Sequence, residues 1–173
     1  MRDLYLLPVG EEAPKIINVV VEVPKGSSNK YEYNRELDIF ELDRALYSPM
    51  HYPGCYGFMP RTLADDGDPL DVLVLINAPT VPGILVRAKP LGVLDMTDEK
   101  GQDQKILATA LDDPRYGDRT DLSDISQHRL REVEHFFKVY KDLENKEVTV
   151  DGWRNVDEAH RIINESMANF KED

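Results

Sequence analysis

The chain has 173 residues, 41% apolar and 31% charged, with 21 lysines and arginines against 33 aspartates and glutamates for a formal net charge of −12. That length and apolar content suit a single globular domain over residues 1–173 and exclude intrinsic disorder. The negative charge argues against a nucleic-acid binder or a protein docked on an anionic membrane, since both need a basic footprint. The one cysteine, Cys55, excludes an internal disulfide and a cysteine-built zinc site. No apolar run approaches the roughly 18 residues that span a bilayer. The opening MRDLYLLPVG has too short an apolar stretch for a signal peptide, so a cytoplasmic setting is expected.

All eleven prolines lie at or before Pro114 and nine of the ten glycines at or before Gly117. The front two-thirds therefore reads as strands and turns, the tail as helices with one strand between them. Ile16–Val23 is β-branched and bounded by prolines, a strand signal. Tyr31–Tyr33 and Ile39–Leu46 are the next expected strands, with a turn at Asn34–Asp38. Val72–Ile76 is a short continuous apolar run, as in a strand buried on both faces. Ile84–Leu94 is a longer one in which Pro90 requires an edge or a bulge. Ile106–Leu111 follows. In Ser123–Leu143, Leu130, Val133, Phe137 and Tyr140 recur at helical spacing. Glu147–Trp153 reads as a strand. Asn155, three residues before Glu158, has the spacing of a helix cap, and Ala159, Ile162, Ile163, Met167 and Phe170 form the stripe that follows. The expected fold is mainly β with α, an OB-like five-stranded β-barrel flanked by two principal helices.

The densest chemical signal is Asp65-Asp66-Gly67-Asp68-Pro69-Leu70-Asp71, four carboxylates in seven residues leading into a buried strand. Carboxylates this close raise one another's pKa, and a bound divalent cation relieves the repulsion. Hard oxygen ligands suit Mg²⁺ or Mn²⁺. The calcium-loop pattern fails, because Asp71 stands where its glycine belongs and Asn77 where its glutamate belongs. A solvated acidic turn is the plainer reading of the loop taken alone. Asp95 to Lys105 is a second acidic turn, with Asp103 and Lys105 on one face of an extended chain. Glu22, alone among valines, faces either solvent or a polar cavity. Lys30 and Glu32 share a strand face, Arg44 lies in an acidic stretch, and Tyr140-Lys141 closes the first helix. Five of the eight tyrosines are Tyr31, Tyr33, Tyr47, Tyr52 and Tyr56, and core filling is the reading for Tyr31 and Tyr47. The four histidines have no metal-ligand spacing, and no nucleophile or nucleotide-loop motif is present. A nucleic-acid-binding OB module is the rival reading, since tyrosine-rich strands stack bases; the charge and the carboxylate cluster oppose it.

These pieces resemble the soluble family I inorganic pyrophosphatases of bacterial type. Asp66-Gly67-Asp68-Pro69-Leu70-Asp71-Val72 is similar to that family's signature. Glu22 with Pro24, Lys30-Tyr31-Glu32, Asp43-Arg44, Tyr52-Pro53, Tyr56-Gly57, Met96-Thr97-Asp98-Glu99, Asp103, Lys105 and Tyr140-Lys141 follow in its order. The resemblance implies an OB-like barrel, Mg²⁺-dependent hydrolysis of pyrophosphate and a homohexamer. By position it implies metal ligands at Asp66, Asp71, Asp98 and Asp103 and a general base at Asp68. It implies phosphate-binding groups at Lys30, Arg44, Tyr56, Tyr140 and Lys141, and cavity residues at Glu22, Glu32, Tyr52, Glu99 and Lys105. One departure is Cys55, where the family usually has Asn or Asp; it is expected to place a thiol near the cavity.

Overall fold

The computed structural model describes residues 3–172. Its elements are β1 (Ile17–Val23), β2 (Asn29–Asn34), β3 (Ile39–Ala45), β4 (Cys55–Phe58), β5 (Asp71–Leu75), β6 (Leu85–Asp98), β7 (Gly101–Ala110), α1 (Gln127–Val139), β8 (Thr149–Arg154) and α2 (Val156–Asn169). The main sheet runs β1-β4-β5-β7-β6, and β6 pairs back to β1, so five strands form a ring. β8 joins the outer side of β6, and β2 and β3 make a separate hairpin. Every pairing is antiparallel except β5 with β7.

The expected fold class holds. Both faces of the ring are buried, which is why β5 reads as an unbroken apolar run. Val72 and Val74 pack with Val19, Val21 and Ile106 beneath Ala159, Ile162 and Ile163 of α2. Leu73 and Leu75 pack with Leu94, Leu107 and Tyr56 beneath Leu130, Val133, Phe136 and Phe137 of α1. The 14-residue β6 serves three neighbours because it bends: its start pairs with β1 and its end with β8. The register shifts between Pro90 and Gly92, the bulge that a proline without an N–H demands. Asn155 caps α2, its side chain accepting from the Glu158 N–H at 3.1 Å.

Four local expectations change. Met50–Gly57, carrying Tyr52 and Tyr56, is expected from the sequence to be a constrained loop, yet its last residues open β4. Glycine stands at position 57 because a Cβ would lie 1.9 Å from the Val20 carbonyl oxygen of β1. The acidic segment from Asp95 to Lys105 is mostly strand, and only Glu99 and Lys100 remain as a turn between β6 and β7. The first helix is shorter than its periodicity suggests. It starts after Ser126, which caps the Arg129 N–H, and gives way beyond Tyr140 to a 3₁₀ turn at Asp142–Glu144. Tyr47 is 62% exposed and fills no core. Among the described residues, no helix is long and apolar enough to cross a membrane.

Candidate active site

The parallel pairing of β5 with β7 sets Val72 opposite Ile106, which brings Asp71 beside Lys105 across 34 residues of sequence. Strand alternation puts Asp103 and Lys105 on the same face. The hairpin register sets Asp103 against Met96, so Asp98 at the end of β6 reaches the same side. β4 contributes Tyr56, and the end of α1 brings Phe137, Tyr140 and Lys141 over the top. The result is a cavity of about 130 Å³. Of the residues singled out in the sequence, Glu22, Lys30, Glu32, Tyr52, Tyr56, Asp66, Asp68, Asp71, Asp98, Asp103, Lys105, Tyr140 and Lys141 line it; Arg44 and Glu99 do not.

Lys105 is the centre of its polar network. Its Nζ lies 2.5 Å from Asp71 Oδ2, 2.9 Å from Asp103 Oδ1 and 2.8 Å from the Tyr56 hydroxyl. Burial opposes its charge, yet Asp71, Tyr56 and Asp103 outweigh burial and hold its pKa well above the usual lysine value. Asp98 is partly desolvated as well, but the Lys100 N–H at 2.9 Å and Lys141 Nζ at 3.1 Å keep it below the usual carboxylate range. The other carboxylates go the opposite way. Burial and the nearby Asp68 and Asp71 raise Asp66, against a hydrogen bond from the Asp68 N–H. Burial and Asp71 raise Asp103 against the pull of Lys105. Burial drives Glu22 up to about 8, although it accepts the Tyr33 N–H at 2.8 Å. Its side chain faces the polar cavity, which settles the two sequence readings of this residue.

Seven carboxylates face four lysines here. That imbalance fits a site completed by hard divalent cations, which would draw the raised carboxylates back to their charged form. Among the described residues no three carboxylate, imidazole or thiol groups already converge at ligating distance. The Lys105 ammonium is the charge that bridges Asp71 and Asp103 instead. Tyr52 adds an anion-directed feature: its hydroxyl is buried in the cavity wall without a hydrogen-bond partner among the described residues. Burial raises its pKa well above the usual value, so it stays a donor.

Arg44 is bound to Asp43 at 2.6 Å and Glu144 at 3.1 Å; Asp43 in turn lies 3.8 Å from Lys30. Glu99 lies between Lys146 at 3.6 Å and the cavity-lining Lys141 at 4.0 Å. Lys100 and Phe137 line the cavity without having been singled out. Lys100 lay hidden in a segment read as loop, and only the β6–β7 register exposes it. Cys55 corrects the expectation of a thiol near the cavity. Because Tyr56 faces the cavity, its neighbour in an extended strand faces the opposite layer. There Sγ is buried among Val19, Val21 and Val74, 3.4 Å from the Thr80 hydroxyl.

Comparison with known proteins gives one answer. The family model for inorganic pyrophosphatase matches residues 19–171. An inorganic pyrophosphatase of Halalkalibacterium halodurans is 49% identical over 158 residues, covering 91% of this chain and 97% of that protein. One from Nostoc sp. is 46% identical, covering 98% and 99%. The crystal structure of inorganic pyrophosphatase from Thermus thermophilus superposes with a TM-score of 0.96 at 43% identity, covering 99% of this chain and 100% of that one.

Proposed function

Since the chain belongs to the inorganic pyrophosphatase family, and is an enzyme of that kind, we propose that it hydrolyses pyrophosphate to two phosphates in a magnesium-dependent reaction. A water attacks phosphorus directly and no covalent enzyme intermediate forms. The observation that carries this reading is the cavity in which seven carboxylates, drawn from five separate segments, outnumber the lysines.

Asp66, Asp71 and Asp103 would hold magnesium ions, with Asp98 and Asp103 holding one that enters with the substrate. Such ions, when bound, lower the pKa of water and offset the charge of a polyanion that a protein at −12 would otherwise repel. Asp68 accepts the proton of the attacking water. It lies three residues before Asp71, on a loop that its own N–H bond to Asp66 Oδ1 helps to shape. Lys30, Tyr56, Tyr140 and Lys141 donate to phosphate oxygens, and Arg44 supports them through Asp43 and Lys30. Tyr52 offers its unpartnered hydroxyl to the same oxygens. Glu22, Glu32 and Glu99 act through water, and Lys105 bridges Asp71 and Asp103. Phosphoryl transfer asks chiefly for positioning and charge compensation of this sort.

The same family membership supports a homohexamer in the cytoplasm, with residues 1–173 acting as one domain. The test of the reaction is phosphate release from pyrophosphate with Mg²⁺, with and without a chelator. Release that stops with chelator and returns with excess Mg²⁺ is expected. Release indifferent to chelator removes the proposal.

A further inference from the structure

Two of the lysines that face the cavity come from parts of the fold that no strand pairing joins. Lys30 stands on the β2–β3 hairpin, a sheet separate from the ring, and Lys141 stands just beyond α1. Lys141 is aimed by Asp98 at 3.1 Å. Lys30 is paired with Glu32 and lies 3.8 Å from Asp43, which Arg44 Nη1 holds at 2.6 Å. A ligand with two phosphate groups is held by both lysines only if the hairpin keeps a fixed place against the end of α1.

Glu144, in the 3₁₀ turn Asp142–Glu144, makes that connection. Its side chain is 6% exposed while its neighbour Leu143 is 59% exposed, the reverse of what transfer from water favours. The buried carboxylate sets Oε1 3.1 Å from Arg44 Nε. Glu144 Oε2 and Arg44 Nε are buried with no hydrogen-bond partner among the described residues, so the contact is an ion pair rather than a directed hydrogen bond. Through its backbone Glu144 is tied to the other lysine, its N–H donating to the Lys141 carbonyl at 3.0 Å. The turn is closed by Asn145, whose N–H donates to the Asp142 carbonyl at 3.0 Å and whose φ of +56° is a left-handed conformation that asparagine tolerates. A chain of contacts thus runs from Lys30 through Asp43, Arg44 and Glu144 to Lys141. A buried ion pair is a poor source of stability, since apolar side chains of similar size serve a fold as well or better. What this pair adds, in a turn that leaves its leucine in water, is fixed geometry.

We infer that Glu144 is a positioning residue: its carboxylate, through Arg44, locks the β2–β3 hairpin to the turn that follows Lys141 and so fixes the spacing of the lysines that bind pyrophosphate. This deepens the proposed reaction and rests on Lys30 and Lys141 donating to phosphate oxygens. Glu144 does not itself line the cavity, so it acts on substrate only through these neighbours. The lysines hold phosphate before the attack and during it, so a loss of their spacing weakens both states alike.

The experiment measures Mg²⁺-dependent phosphate release and thermal unfolding for wild type, Glu144→Gln, Arg44→Met and the double variant. Glu144→Gln keeps the shape of the side chain and removes its charge. The expected result is a KM for pyrophosphate higher by about threefold to tenfold with kcat within about twofold of wild type, the pattern of an interaction present in both ground and transition states. Arg44→Met also raises KM, and in that background Glu144→Gln raises it no further, because the pair is already broken. If Glu144→Gln does not fold, Glu144→Asp, which keeps the charge but withdraws it by one methylene, carries the same expectation and the same refutation. A wild-type KM in Glu144→Gln, whatever its unfolding temperature, makes the pair a tie of the fold alone and overturns the inference. A rise of equal size with and without Arg44 overturns it too. A wild-type protein that releases no phosphate overturns the reaction, and this inference with it.

Discussion

Asp71 and Asp68 differ in what surrounds them. Asp71 sits at the start of a rigid strand, against Lys105 and across from Asp103, while Asp68 is on the loop before it. Asp71→Asn should therefore weaken Mg²⁺ binding on the order of tenfold or more, and Asp68→Asn should lower turnover with a much smaller effect on affinity. Calorimetric titration of both variants with Mg²⁺ checks this, and equal affinities would remove the distinction. Glu22 supplies a pH dependence. Its carboxyl is protonated in both states below its ordinary value of 4.5 and keeps its proton up to about 8 when folded. Between those values the folded state binds the extra proton, so stability falls as pH rises. In the presence of chelator, unfolding temperature should decline across this window, and Glu22→Gln should flatten the decline. Cys55→Ser should leave turnover near wild type, because the thiol faces the apolar layer under α2, and cost about 1 kcal/mol for placing a hydroxyl there. A large loss of turnover without unfolding would mean that the thiol reaches the site.

Among the elements, β4 decides whether the ring closes. It bridges β1 and β5 and delivers Tyr56 to the cavity with four residues. Gly57 lets β1 approach, since any Cβ would meet the Val20 carbonyl. Gly57→Ala should destabilise the protein by about 3 kcal/mol, and chemical denaturation would show it; a variant as stable as wild type would mean that the two strands part without cost. β4 is also the element that composition hides, because a short run with a central glycine looks like a loop. The long elements were readable. The β-branched β1, the unbroken β5 and the helical stripes of α1 and α2 carry their period in the residues themselves. The strand character from Asp95 to Lys105 was not readable, because charged residues on the cavity face look identical to a solvated turn.

At the scale of the molecule, the excess of carboxylates is distributed with a purpose that net charge alone does not reveal. Cation binding to the folded state alone should raise stability, by about 2.7 kcal/mol for one site at a hundred times the dissociation constant. Thermal unfolding followed across a Mg²⁺ series should show that rise, and Asp71→Asn should blunt it. No shift in wild type would mean that the cavity does not take the ion.

The sequence by itself determined the class of fold, the two helices and the acidic loop from Asp65 to Asp71, because periodicity and a dense acidic motif are properties of neighbours along the chain; most of the other residues that line the cavity were assigned to it only through the resemblance to the pyrophosphatase family. Tertiary structure decided the rest. It turned Glu22 inward, sent Cys55 to the opposite layer and joined Lys105 to Asp71 and Asp103. Each of those depends on strand register and on which face a side chain takes, and contacts between residues tens of positions apart exist only once the ring has closed.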